Sequence, residues 1–311
     1  MLAHMIRKPR RLVPGDRVAV VASSGAVDPD RLAAGLEVLR GWGLQTDVLP
    51  GVAGRHERLP YLAADDAVRA KDFRAAWLDS SYKAVFCARG GYGAQRMLQH
   101  LDVDELTSAE PKLLVGFSDV TALHEIFNAA GVVTIHGPMA AAVEQLRTAT
   151  SSDRLRQLLF EPETIGNLLA PSEPAVLTNG RAEGILRGGN VALLASGLGT
   201  PTSHPGAGIV VLEDVGEDAY RLDRLLTQLL RAGWFDDVAG LVLGDFSEAD
   251  DPELVAAMLA ERLGPLGVPA VTGAAIGHER TNLAVPLGAP AALDADAGTL
   301  TLSEPPLSPP S

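Results

Sequence analysis

The chain has 311 residues, long enough for one large or two medium domains, of which 47% are hydrophobic and 21% charged. Its formal net charge of −13, from 39 acidic and 26 basic residues, argues against a nucleic acid or an anionic membrane as partner. One cysteine, Cys87, can form neither an intrachain disulfide nor a cysteine-built metal site. No apolar run reaches membrane-spanning length, and none follows the basic segment Arg7 to Arg11 as in a signal peptide, so a cytoplasmic protein is expected.

In chain order, Arg17 to Ala22 (RVAVVA) reads as a first strand, and Pro29 opens a helix through Leu36 and Leu39 that ends near Gly41. LQTDVLP from Leu44 is a second strand, Gly51 to Pro60 a polar surface loop, and Asp65 caps a helix carrying Val68, Phe73, Ala76 and Trp77. Strand three, Ala84 to Ala88, runs into Arg89-Gly-Gly-Tyr-Gly and a helix near Ala94 to Leu101. Lys112 to Val115 is a buried strand. Val120, Leu123, Phe127 and Ala130 then fall at helical spacing, closed by Gly131. Val132 to Ile135 is a fifth strand. Alternating strands and helices predict a parallel, Rossmann-like sheet over 13–138, with sites at the C-terminal strand ends.

Residues 139–180 change character: a helix through Ala141 to Arg147, then prolines 162, 171 and 174, which reads as a linker with a little helix. From Arg181, RAEGILRGGN leads into a short helix, VALLAS. Gly208 to Glu213 and Ala239 to Leu243 are strands, and Leu222, Leu225, Leu226, Leu229 and Leu230 form one helix face. Pro252 to Leu263 is another helix, and Val268 to Ile276 leads into Gly-His-Glu. The expected architecture is α/β, with a second domain of mixed strands and helices over 181–305 and no internal repeat.

Chemistry concentrates at a few positions. Gly116-Phe-Ser-Asp joins a strand to a helix, and a serine on such a turn has its hydroxyl held above the sheet edge beside the helix's free N–H groups. The alternative is that Ser118 or Asp119 merely caps the helix. Glu213 stands where an apolar strand meets a loop, and His278 follows an apolar run and Gly277. With Ser118 they make the order Ser, Glu, His that a nucleophile, its orienting acid and a base require. Taken singly, each also reads as an ordinary capping or paired side chain. RGGYG brings backbone N–H groups near a ligand, but it is neither a dinucleotide fingerprint nor a P-loop, and a plain turn serves equally. His124, His136, His204 and His278 form no H-x-x-x-H or H-E-x-x-H pair, so neither a metal nor a cofactor is expected.

Taken in order, FSD, the upstream RGGYG, RGGN, LEDVGEDAYRLDRLLTQL, LVLGDF and IGH before NLAVPLG resemble the LD-carboxypeptidase serine peptidases, from about Gly15 to Leu302. That family includes muramoyltetrapeptide carboxypeptidases and microcin C immunity proteins. The resemblance implies Ser118 as nucleophile, Glu213 as orienting acid in preference to Glu217, and His278 as base. It also implies the backbone N–H groups of Gly91 and Asp119 as oxyanion donors. It implies hydrolysis of an amide between an L-centre and a terminal D-amino acid, as in recycled cell-wall tetrapeptides, by a homodimer. Arg89 is a candidate cation for the substrate carboxylate. The rivals are cleavage of a peptidyl- or aminoacyl-nucleotide and a non-catalytic two-domain binding protein. The immunity relatives stack a base on aromatic residues in the linker region, where this chain has only Phe160, which favours the peptidase.

Overall fold

The computed structural model describes residues 6–204, 206–248 and 251–310. Two sheets organise it. The first contains β1 (Arg17–Val21), β2 (Gln45–Val48), β3 (Tyr82–Cys87), β4 (Leu113–Gly116) and β5 (Thr134–His136). These run parallel in the order β2-β1-β3-β4-β5. Val18 and Val20 of β1 pack into one hydrophobic cluster, and Ala19 and Val21 into another on the opposite face. A strand buried on both faces is therefore a continuous apolar run rather than an alternating one. Helix α1 (Pro29–Gly41) covers the first face with Leu36 and Leu39. Helices α2 (Asp66–Leu78), α3 (Ala94–Leu98), α4 (Val103–Ser108) and α5 (Thr121–Ala129) follow, and Phe73, Trp77 and Phe127 pack on the second face.

Helix α2 differs from its expected face. Val68 is exposed, whereas Arg69 is wholly buried. The Arg69 guanidinium pairs with Asp66 and donates to the backbone oxygens of Ser23 and Gly93, so its charge is neutralised and its donors are used. Asp65 stands at the start of this helix, but its side chain faces His56 at 3.1 Å instead of capping. The expected loop from Gly51 begins as a short 3-10 turn with Gly51 and Val52 buried, because Gly51 N–H donates to Asp72 at 2.6 Å.

The stretch 139–180 contains α6 (Val143–Arg147), α7 (Ala149–Phe160) and the edge strand β6 (Ala175–Thr178). The second sheet adds β7 (Arg181–Asn190), β8 (Ala207–Val215), β9 (Asp237–Ser247) and β10 (Ala270–Thr272), parallel to one another. Strands β6, β12 (Pro290–Asp294) and β13 (Thr299–Leu302) add to it antiparallel. Helices α8 (Val191–Gly197), α9 (Ala219–Arg231) and α10 (Pro252–Leu263) pack on one face. Between β10 and β12 the chain crosses to the first sheet, where β11 (Val285–Leu287) pairs antiparallel with β5. The two sheets are thus stitched together just after the loop that carries His278. The fold is α/β, a Rossmann-like parallel sheet joined to a mixed one.

Candidate active site

Strand β4 ends at Gly116, and a 3-10 turn over Ser118–Val120 leads into α5. Ser118 has φ 63°, and only it and Glu248 among the described non-glycine residues take positive φ. That conformation costs an L-residue roughly 1–2 kcal/mol and marks a sharp, strained turn. Two glycines make the room. A Cβ on Gly116 would lie 2.9 Å from both Val120 methyl groups, and one on Gly90 would lie 3.2 Å from Ser118 Oγ. The capping alternative fails, since no side chain caps α5. Asp119 instead accepts from Ala94 N–H at 2.7 Å and so ties this turn to the helix after RGGYG. Burial pushes the Asp119 acid up. Gly91 has φ 105°, which glycine tolerates readily, and a Cβ there would approach Gly25. Among the described residues, neither the Gly91 nor the Asp119 N–H donates to another backbone group.

Glu213 and His278 meet. His278 Nδ1 donates to Glu213 Oε2 at 2.6 Å, a short charge-assisted contact. Strand β8 continues to Val215, so Glu213 lies inside the strand rather than at its end, and it is fully buried. Burial disfavours its charge, but the imidazoles of His136 and His278 outweigh that and hold the carboxyl down at about 2. Burial lowers His278, yet its bond to Glu213 and the charges of Glu213, Asp214 and Asp245 leave it raised above 6.5. Glu217, the rival glutamate, faces Arg221 at 4.0 Å instead.

Ser118 and His278 come to the same end of the two sheets, on opposite sides of a seam. Phe117, next to the serine, packs its ring 4.8 Å from the His278 ring. No hydrogen bond joins Ser118 to His278 among the described residues. Such contacts often tighten only when substrate binds. A cleft of about 850 Å³ opens here, lined by Arg89, Phe117, Met139, Gln145, His278 and Arg280 among others. Arg89 is anchored through Nη1 to Ala26 O at 2.9 Å, and it also borders a second hollow with Tyr61 and Tyr92.

Sequence reasoning missed the supports of the His278 loop. Gln145 donates to the backbone oxygens of Gly277 and Glu279, and Asn282 Oδ1 accepts from Gly277 N–H at 3.1 Å. Asn282 N–H in turn donates to Ser151 Oγ at 2.9 Å. Gln145 and Ser151 lie in the segment read as a linker, and no local pattern marks them. His136, weighed only as a metal ligand, stands 3.9 Å from Glu213 Oε1. His124 bonds to Thr134 and Gly116, and His204 lies apart with Glu125 and Trp234.

Comparison with known proteins agrees with this architecture. The LD-carboxypeptidase N-terminal domain family matches residues 18–137, and the LD-carboxypeptidase C-terminal domain family matches 183–293. A Streptomyces coelicolor protein named "Putative carboxypeptidase" is 53% identical, over 96% of this chain and 97% of that one. The murein tetrapeptide carboxypeptidase of Pseudomonas aeruginosa is 34% identical, over 89% of this chain and 93% of its own. Among solved structures, the muramoyltetrapeptide carboxypeptidase from Oxalobacter formigenes superposes with a TM-score of 0.78 at 30% identity, covering 92% of this chain and 97% of that one. The microcin C7 self immunity protein MccF, in complex with aspartyl sulfamoyl adenosine, superposes at 0.80 with 21% identity, covering 97% and 99%, which is a likeness of fold. The chain belongs to the LD-carboxypeptidase family of serine-type peptidases. It is an enzyme, a serine carboxypeptidase.

Proposed function

We propose that this enzyme removes the terminal D-amino acid from murein tetrapeptides by cleaving the amide that joins it to an L-configured centre, with Ser118, His278 and Glu213 as its catalytic triad. The observation that carries the reading is the 2.6 Å bond from His278 Nδ1 to buried Glu213. With Nδ1–H committed to the carboxylate, Nε2 keeps the lone pair that takes the proton from Ser118 Oγ. Oγ attacks the carbonyl carbon, and the resulting oxyanion accepts from the N–H groups of Gly91 and Asp119. His278 then passes its proton to the leaving amine, an acyl-enzyme remains on Ser118, and water releases it with His278 again as base. Arg89 and Arg280 line the cleft as candidate partners for substrate carboxylates, beside Arg31 and the acidic Asp28, Glu144 and Glu279. The same reading includes a homodimer, as the family resemblance implies, placed in the cytoplasm as the sequence leads one to expect.

The test is release of D-alanine from L-Ala-D-Glu-diaminopimelate-D-Ala by the wild type and by Ser118→Ala, with the all-L peptide alongside. Release by the wild type alone, with the all-L peptide untouched, is the expected result. A second reading, hydrolysis of an aminoacyl- or peptidyl-nucleotide, is suggested by the likeness to MccF. Phe160, the one aromatic residue of 139–180, is 6% exposed and packed in the core, so it offers no ring to stack a base. Cleavage of an aminoacyl-sulfamoyl adenosine without D-alanine release would support that second reading instead.

A further inference from the structure

Glu213 presents two oxygens in a fully buried position. Oε2 accepts from His278, whereas Oε1 has no partner among the described residues. A buried carboxylate with one bare oxygen is costly, because desolvation is compensated only where a donor reaches it. His136 faces that oxygen, with Nε2 3.9 Å away, and is itself wholly buried with neither ring nitrogen bonded. Two unsatisfied polar groups thus look at each other across the seam between the sheets.

Its neighbours give His136 no other use. The strand fixes its backbone, with β5 pairing Gly116 on one side and Val285 on the other. The ring of Phe117 is 5.8 Å away and that of His124 6.2 Å. His124 is already committed. Its Nε2 must donate to Gly116 O at 2.9 Å, so its Nδ1 accepts from the Thr134 hydroxyl at 2.9 Å. Burial pushes it down to about 3 and keeps it neutral.

The geometry points to His136 as a positioning residue that donates Nε2–H to Glu213 Oε1, so that the carboxylate is held between two imidazoles with Oε2 turned to His278. The roles of Glu213 and His278 in this inference rest on the function proposed above. Closing the gap takes a shift of about 1 Å. A second donor spreads the charge of Glu213, so His278 becomes less basic than it would be beside a carboxylate with one donor. Asp214 and Asp245 also face His278 and raise it. Both remain when His136 is changed.

The test compares three variants of the full chain. H136F keeps most of the volume and loses both nitrogens. H136Q places an amide near Nε2, and H136N places one near Nδ1, out of reach of Glu213. The first readout is NMR titration of His278, which needs no substrate. Removing the donor is expected to raise the His278 pKa by roughly half a unit or more in H136F and H136N, with H136Q close to wild type. The second is D-alanine release: kcat falls about tenfold in H136F and H136N with KM changed less than about twofold, and the acid limb of kcat/KM moves up with His278. If H136F does not fold, H136N against H136Q carries the comparison. An unchanged His278 titration in folded H136F or H136N, or an H136Q as impaired as H136N, overturns the inference. Absence of D-alanine release by the wild type would count against the proposed substrate, and the titration would still decide the role of His136.

Discussion

Gln145 Nε2 donates to Gly277 O at 3.1 Å and to Glu279 O at 2.9 Å, on either side of His278. One amide from α6 therefore grips the His278 loop from both ends, while its Oε1 accepts from Asn282 Nδ2 at 3.3 Å. In Gln145→Leu three contacts vanish and two backbone oxygens lose a donor. Stability is expected to fall by about 1–3 kcal/mol. The larger effect is on catalysis, since displacing a base by even 1 Å costs on the order of 100-fold in rate. Steady-state kinetics beside a thermal melt check both.

Gly90 is not among the glycines with positive φ, but a Cβ there would stand 3.1 Å from Ser118 Cβ and 3.2 Å from Oγ. Gly90→Ala is expected to lower kcat by about tenfold or more by moving Oγ, while its melting temperature stays near that of the wild type. Equal kcat in the two proteins would contradict the crowding argument.

The strained φ of Ser118 predicts an inversion of the usual order of stabilities. Ser118→Ala and Ser118→Gly should both abolish D-alanine release. The glycine variant, free of the Cβ penalty at φ 63°, should be more stable than the alanine variant by about 1 kcal/mol. In most positions glycine is the less stable of the pair. Chemical denaturation of the two variants measures the difference directly.

Glu125 on α5 is mostly buried, and burial raises its carboxyl to about 8 against a backbone hydrogen bond from His204 that lowers it. Between the ordinary value of 4.5 and about 8 the folded protein holds this proton while the unfolded chain has released it. Stability therefore declines with rising pH across that window, with a slope of up to about 1.4 kcal/mol per pH unit. Glu125→Gln removes that decline, so its advantage over the wild type should widen from pH 5 to pH 8. Melting temperatures of both proteins across that range decide it.

Much of this molecule is legible locally. Four buried residues in a row in β1, and leucines at helical spacing in α9 with Leu222, Leu226 and Leu229 buried, follow from which residues avoid water at which period. The sharp turn at Ser118 is equally readable, because Gly116 and an apolar helix bracket it within a few residues. What the sequence by itself determined is this set of elements and the motifs at their ends. Only the tertiary structure decided which ends meet. Glu213 lies 65 positions from His278, and its choice over Glu217 is made by β8 burying one and leaving the other beside Arg221. Gln145 reaches Gly277 across 132 positions, and β11 leaves the second half of the chain to pair with β5. These contacts carry no periodic signal, since each joins groups far apart in the chain: two side chains, a side chain and a backbone oxygen, or two short strands. They form only when both sheets have buried their apolar faces and brought those groups within bonding distance.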